Sequence, residues 1–79
     1  MTEEAVQLLI EEGIENAHVE VADTRGSGDH FQAVVISDTF VDKSLVQRHR
    51  MVYEALGSIM TNEIHALQLS TLTKSEWKK

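Results

Sequence analysis

The chain of 79 residues has no cysteine and no proline, and only one tryptophan, one tyrosine and two phenylalanines. Without cysteine there is no disulfide scaffold, no thiol nucleophile and no cluster held by this chain's own thiolates. A reducing compartment is permitted by that absence. Without proline, breaks in secondary structure fall to Gly, Asp, Asn and Ser. No apolar run approaches the roughly 18 residues of a membrane helix. The acidic start, Thr2-Glu3-Glu4, does not read as a signal peptide. The expectation is a cytoplasmic or organelle-matrix protein, not secreted and with no membrane partner. Phosphate-binding and nucleophile-elbow motifs are missing too: there is no G-x-G-x-x-G, Walker loop or G-x-S-x-G. Gly26-Ser27-Gly28 reads as hairpin-loop chemistry. Thirteen carboxylates form no recognisable acid–base pair, so an enzyme is not expected.

What remains is ordinary globular composition, 42% hydrophobic and 25% charged. The length suits one domain over residues 1–79. The formal charge of −6 is unevenly spread. Residues 1–40 carry nine acids and one base, Arg25, whereas residues 41–79 carry six bases and four acids. The whole chain therefore repels a phosphate backbone, although its second half could present a local basic patch.

Pattern and caps give the order helix, strand, strand, helix, strand, short helix. Thr2 caps a first helix whose shared face reads Ala5, Leu8, Leu9 and Glu12, with Gly13 as its stop. Val19 and Val21 alternate in a strand over 17–23. Residues 24–29 form a glycine-containing turn, and 30–37 form the strongest strand, giving an antiparallel hairpin. Phe40 is expected to plug the core from the connection that follows. Ser44 with Gln47 is a capping box opening a second helix. Leu45, Val52, Leu56, Ile59 and Met60 form its expected buried stripe, with Arg48, Arg50 and Glu54 outside. Gly57 marks a close contact or an early end, and residues 61–63 are the exit turn. A third strand over 64–72 follows a helical crossover, so it should run parallel to one of the others with a right-handed connection. Thr73 with Glu76 is a second capping box. It opens a turn in which Trp77 is expected to pack back on the domain, with Lys78 and Lys79 frayed. The fold class is α+β, a three-stranded mixed sheet with helices on one face.

Four histidines, His18, His30, His49 and His65, stand apart without an H-x-H or H-x-x-x-H pair. Arg48 and Arg50 flank His49 but lie about 200° apart around a helix, which weakens a nucleic-acid-reading face. One arginine on a partner surface and one bridged to local acids is the simpler reading.

Several linked segments carry a resemblance. Ser44-Leu45-Val46-Gln47-Arg48-His49-Arg50-Met51-Val52-Tyr53-Glu54-Ala55-Leu56 resembles the signature helix of the BolA family. So do residues 31–37 before it, Ile64-His65-Ala66-Leu67 after it, and Thr73-Lys74-Ser75-Glu76-Trp77 at the end. The likeness covers about residues 3–77. Two departures are visible: the family's F-x-G is Phe40-Val41-Asp42 here, and Lys74 replaces the proline of T-P-x-E-W. Lys74 is expected to loosen the end, and Asp42 to alter the loop if the glycine's angles are special. The resemblance implies an α-β-β-α-β fold related to the type II KH fold. It also implies pairing with a monothiol glutaredoxin as a heterodimer around a shared [2Fe–2S] cluster. The glutaredoxin brings its cysteine and a bound glutathione thiolate, and this chain alone binds no cofactor. The ligands from the BolA side map onto His65 and His30. Arg48, His49, Arg50, Gly28 and Ala66 are the candidate partner-binding residues. A homodimer of the apo chain is the alternative assembly, and a KH-like nucleic-acid-binding transcriptional regulator is the alternative function.

Overall fold

In a computed structural model, which describes residues 1–78, the first helix begins as its cap suggests. Thr2 Oγ1 accepts the Ala5 N–H at 3.1 Å, and Glu3 and Glu4 sit at the positive end of the helix dipole. Helix α1 spans Glu3–Gly13. Its buried face is Val6 and Ile10, continued by Ile14, and not the Ala5-Leu8-Leu9-Glu12 face; Leu8 is exposed. The reason lies at Gly13. A Cβ there would overlap the Cβ of Ala55, so the helix turns toward its neighbour the side that permits closest approach. Gly13 therefore serves packing, and the left-handed turn after the helix falls to Asn16, at φ 53°.

Strands β1 (His18–Asp23) and β2 (His30–Ile36) pair antiparallel, with Val19 opposite Val35 and Asp23 opposite Phe31. Strand β3 (Ala66–Leu72) lies parallel to β2, with His30 opposite Ala66 and Ile36 opposite Leu72. The sheet order is β1-β2-β3, so β2 is central. Alternation along β2 sends Phe31, Ala33 and Val35 to the helix side. There they meet Val6, Ile10, Val52 and Leu56 in one apolar cluster. Gln32, Glu20 and Gln68 remain on the open face. Phe40, on a 3-10 turn over Asp38–Phe40, is fully buried and plugs the core as expected.

Helix α2 (Leu45–Leu56) starts on the Ser44–Gln47 capping box. Gly57 ends it early at φ 60°, and because a Cβ there would meet nothing, the conformation and not a close contact explains the glycine. A short helix α3 (Ile59–Asn62) takes the place of the expected exit turn. The stripe of α2 differs from expectation: Leu45 is exposed, Ile59 and Met60 fall on α3, and Arg48 takes a buried place between Ser44 and Val52.

Arg48 is thus not on an outer face. Its Nε donates to the Lys43 carbonyl at 3.0 Å, and Nη1 donates to the Thr71 carbonyl at 3.2 Å and to Glu76 Oε1 at 2.9 Å. Its guanidinium lies 5.8 Å from the centre of the Phe40 ring. Glu76 also accepts from Thr73 N, closing the capping box of helix α4 (Lys74–Trp77). One arginine therefore ties α2, β3 and the C-terminal turn together. At Lys74, where the family has proline, the backbone N–H donates to Asp38 Oδ1 at 3.1 Å, a bond that proline could not make. Trp77 is 48% exposed and does not pack back as expected. Lys78 is hydrogen-bonded to the Lys74 carbonyl, while Lys79 lies outside the described residues.

Replacing Arg48 by Met leaves two backbone carbonyls without their donor. Urea denaturation should show a loss of about 2–3 kcal/mol, against about 0.5 or less for Arg50→Met on the exposed face. Hydrogen bonds from Thr73 and Arg48 hold the Glu76 carboxyl below its ordinary value of 4.5. A depressed folded-state value adds stability above the unfolded value that disappears as pH falls through the folded one. Acid titration of the denaturation midpoint should therefore decline below about pH 4.5, with a flatter decline in Glu76→Gln. Asp42 holds the left-handed φ of 65° that glycine adopts freely. Asp42→Gly should raise stability by about 0.5–1 kcal/mol in the same assay, and a loss would show that the Asp42 side chain contributes more than the strain removes.

Candidate metal centre

The β1–β2 loop is organised by the residue that ends β1. Asp23 Oδ1 accepts from Arg25 N and Gly26 N at 3.1 and 2.8 Å, and Oδ2 accepts from Gly28 N at 2.8 Å. Burial tends to raise the Asp23 carboxyl, but backbone bonds from Gly28, Arg25, Gly26 and Ser27 together hold it below its ordinary value. Gly26 and Gly28, at φ 73° and 77°, allow the chain to wrap around that carboxylate. The Asp23 N–H donates to Glu3 Oε2 at 2.7 Å, which ties the loop to α1. The loop that delivers His30 is therefore cross-braced despite its glycines.

His30 opens β2, and His65 immediately precedes β3. Their strands pair side by side with His30 opposite Ala66, so the two imidazoles meet: ring centroids are 4.9 Å apart with planes inclined at 45°. His30 is mostly buried, its side chain 16% exposed, and His65 is exposed. Asp29 lies beside both. Its Oδ1 accepts from Ser27 Oγ at 2.5 Å and is 2.8 Å from His30 Nδ1. Its backbone carbonyl accepts from His65 N at 2.7 Å and Ala66 N at 3.1 Å. Hydrogen bonds from Ser27 and then His30 pull the Asp29 carboxyl below its ordinary value, against the opposing effect of burial. An open pocket next to the pair is lined by Asp29, Met60, Asn62, Glu63, Ile64 and His65.

Of the residues singled out in the sequence, the fold brings together His30, His65 and Ala66, while Gly28 lies two residues before His30 against Met1 and the Asp23 carboxylate. The remaining candidates stand elsewhere. Arg48 is committed to Thr71 and Glu76, which corrects its assignment to a partner surface. His49 lies edge-on to Tyr53 on α2, and Arg50 is exposed there beside Lys43, Gln47, Met51 and Glu54. His18 is exposed and paired with Glu20 at 2.9 Å. Asp29 and Asp23 were not singled out. The available signals were an acid directly before the loop histidine and an acid directly before a glycine-rich turn. Among the described residues, no group of three His, Asp or Glu side chains is placed to hold a metal ion by itself. The two imidazoles thus stand as a pair, with His30 largely enclosed and His65 exposed.

The model of the family described as BolA-like protein matches residues 4–76. The chain is 42% identical over 53 residues to the DNA-binding transcriptional regulator BolA of Escherichia coli, an alignment covering 67% of this chain and 50% of that protein. It is 39% identical over 80 residues to the Protein BOLA2 of Arabidopsis thaliana, covering 99% of this chain and 85% of that one. The chain spans about half the length of the bacterial BolA regulators it matches. Among solved structures, a bolA protein homologue from Coxiella burnetii superposes with a TM-score of 0.86 at 40% identity, covering 100% of this chain and 99% of the other. No helix among the described residues is long and apolar enough to cross a membrane. Element order, sheet pairing, and likeness over nearly the whole length agree, and the chain belongs to the BolA-like family.

Proposed function

We propose that this protein is an iron–sulfur adaptor that binds a monothiol glutaredoxin and shares a [2Fe–2S] cluster with it, as cargo for trafficking or as a signal of iron and redox state. The observation that carries this reading is the pair of imidazoles 4.9 Å apart with no third ligand from the chain among the described residues. Two imidazoles cannot complete the coordination of a cluster. The glutaredoxin cysteine and its bound glutathione would bring two thiolates, giving a mixed set of the Rieske kind, in which histidine raises the potential relative to four cysteines. The residues present suit such a set. The two rings lie side by side, and His30 has a carboxylate at one ring nitrogen, the arrangement usual for metal-ligating histidine. The partner surface would be built from the loop at Gly28, the start of β3 at Ala66, and the exposed side of α2 with His49 and Arg50. It would not include Arg48.

Relatives named as DNA-binding regulators favour a second reading, in which the domain contacts nucleic acid. The chain's charge of −6 opposes it, and so does the withdrawal of Arg48 from the surface.

Reconstitution with a monothiol glutaredoxin, glutathione, iron and sulfide tests the adaptor reading. The His65→Ala complex should lose the mixed His/Cys signature in visible circular dichroism and EPR. His30→Cys should keep a cluster at lower potential, because thiolate donates more charge to iron. An unchanged signature in His65→Ala overturns the reading.

A further inference from the structure

We propose that Asp29 is the positioning residue of the imidazole pair, fixing the tautomer of His30 through its side chain and the placement of His65 through its main chain. The inference rests on the adaptor reading for its purpose, but its geometry stands in the apo chain. The two halves of Asp29 reach in two directions. The backbone carbonyl takes both the His65 and Ala66 N–H groups, at 2.7 and 3.1 Å, and so holds the start of β3 against the end of the loop. The carboxylate lies 2.8 Å from His30 Nδ1. An ionised carboxylate accepts hydrogen bonds and donates none, so Nδ1 carries the proton and Nε2 keeps its lone pair for a metal.

The carboxylate is itself held. Ser27 Oγ donates to the same Oδ1, and Ser27 sits on the loop that Asp23 braces. The chain of contacts runs from Asp23 through the glycine turn to Ser27, Asp29 and His30. A histidine at the tip of an unbraced glycine loop would sample both tautomers and many directions. Here the loop is pinned, so the imidazole is presented in one tautomer, next to a second imidazole whose backbone hangs from the same residue. Such pre-organisation is the usual work of residues behind a metal ligand.

The consequence for the two ligands is unequal. Removing the Asp29 side chain releases the tautomer of His30 but leaves the carbonyl that holds His65. Asp29→Ala separates the two roles without breaking the sheet. Asp29→Asn retains an amide oxygen that can accept from Nδ1–H, and it is the conservative variant.

The first measurement is a long-range proton–nitrogen NMR correlation on the apo-protein at mildly alkaline pH, which reads each histidine's tautomer directly. Wild type should show His30 as the Nδ1–H form. Asp29→Ala should shift it toward Nε2–H, Asp29→Asn should restore part of the Nδ1–H signal, and the His65 amide shift should stay in place in both. His30 in the same tautomer in wild type and Asp29→Ala overturns the proposal. The second measurement is assembly of the [2Fe–2S] complex with the glutaredoxin, glutathione, iron and sulfide. Cluster affinity should fall about 10–100-fold in Asp29→Ala, with partial rescue in Asp29→Asn. A wild-type chain that shows the Nδ1–H form yet assembles no cluster overturns the adaptor reading and leaves the Asp29 contact standing. A cluster affinity in Asp29→Ala equal to wild type overturns the positioning role.

Discussion

The register of β2 against β3 is the constraint on which the rest of the structure depends. It sets His30 opposite Ala66, and thereby brings His30 and His65 together across a wide separation in sequence. A slip of one residue would turn every side chain of one strand to the other face of the sheet. The fold pins this register at both ends. At the start of β3, the Asp29 carbonyl receives two successive N–H groups, from His65 and Ala66. At its end, Ser37 N donates to the Leu72 carbonyl, and Arg48 reaches the Thr71 carbonyl. In between, Leu67 and Leu69 press against the apolar cluster under the helices.

Arg48 also answers a problem that β3 creates. The bonds at Ala66 and Leu72 show that the even-numbered residues face β2, which leaves the carbonyls of alternate residues pointing outward along an edge strand. Exposed edges invite pairing with other chains. The Arg48 guanidinium occupies that edge at Thr71 and then clasps Glu76, so the C-terminal turn is held over the strand it follows. A cation inside the helix stripe would be unfavourable if unpaired. Here each hydrogen bond it makes is with a carbonyl or a carboxylate. The imidazole pair at one end of β3 and the clasp at the other are thus parts of one arrangement, and the centre of the sheet can remain apolar and simple.

Local chemistry was legible in the sequence where it is settled within a few residues. Both capping boxes, the Phe40 plug, the glycine hairpin and the order of the main elements follow from spacing alone, whereas α3 does not. The proximity of His30 and His65 did not: it came with the resemblance, because parallel pairing joins residues that no local pattern links. The choice between Arg48 and Arg50 was open for the same reason. Both have the same propensity; helical spacing puts Arg48 in line with Val52 and Leu56, but the partners that make its burial tolerable, on Phe40 and β3, appear only in the fold. Gly13 looked like a helix stop because glycine has two uses, conformational freedom and small size, and the second shows only when Ala55 is in place. Asp29 was hidden among thirteen acids, since its role depends on two strands meeting. Asp42 gave a partial signal: the departure from a family glycine pointed to unusual angles, and the chain keeps those angles with an aspartate.

The central claim is that two imidazoles of this chain bind iron in a complex whose thiolates come from elsewhere. Nitrogen hyperfine spectroscopy tests it most directly, on the reduced cluster complex in which this chain alone is labelled with 15N-histidine. Two inequivalent, strongly coupled 15N nuclei are expected, one from His30 and one from His65. A reduced cluster with no strong 15N coupling would contradict the claim, because every ligand to iron would then come from outside this chain's histidines.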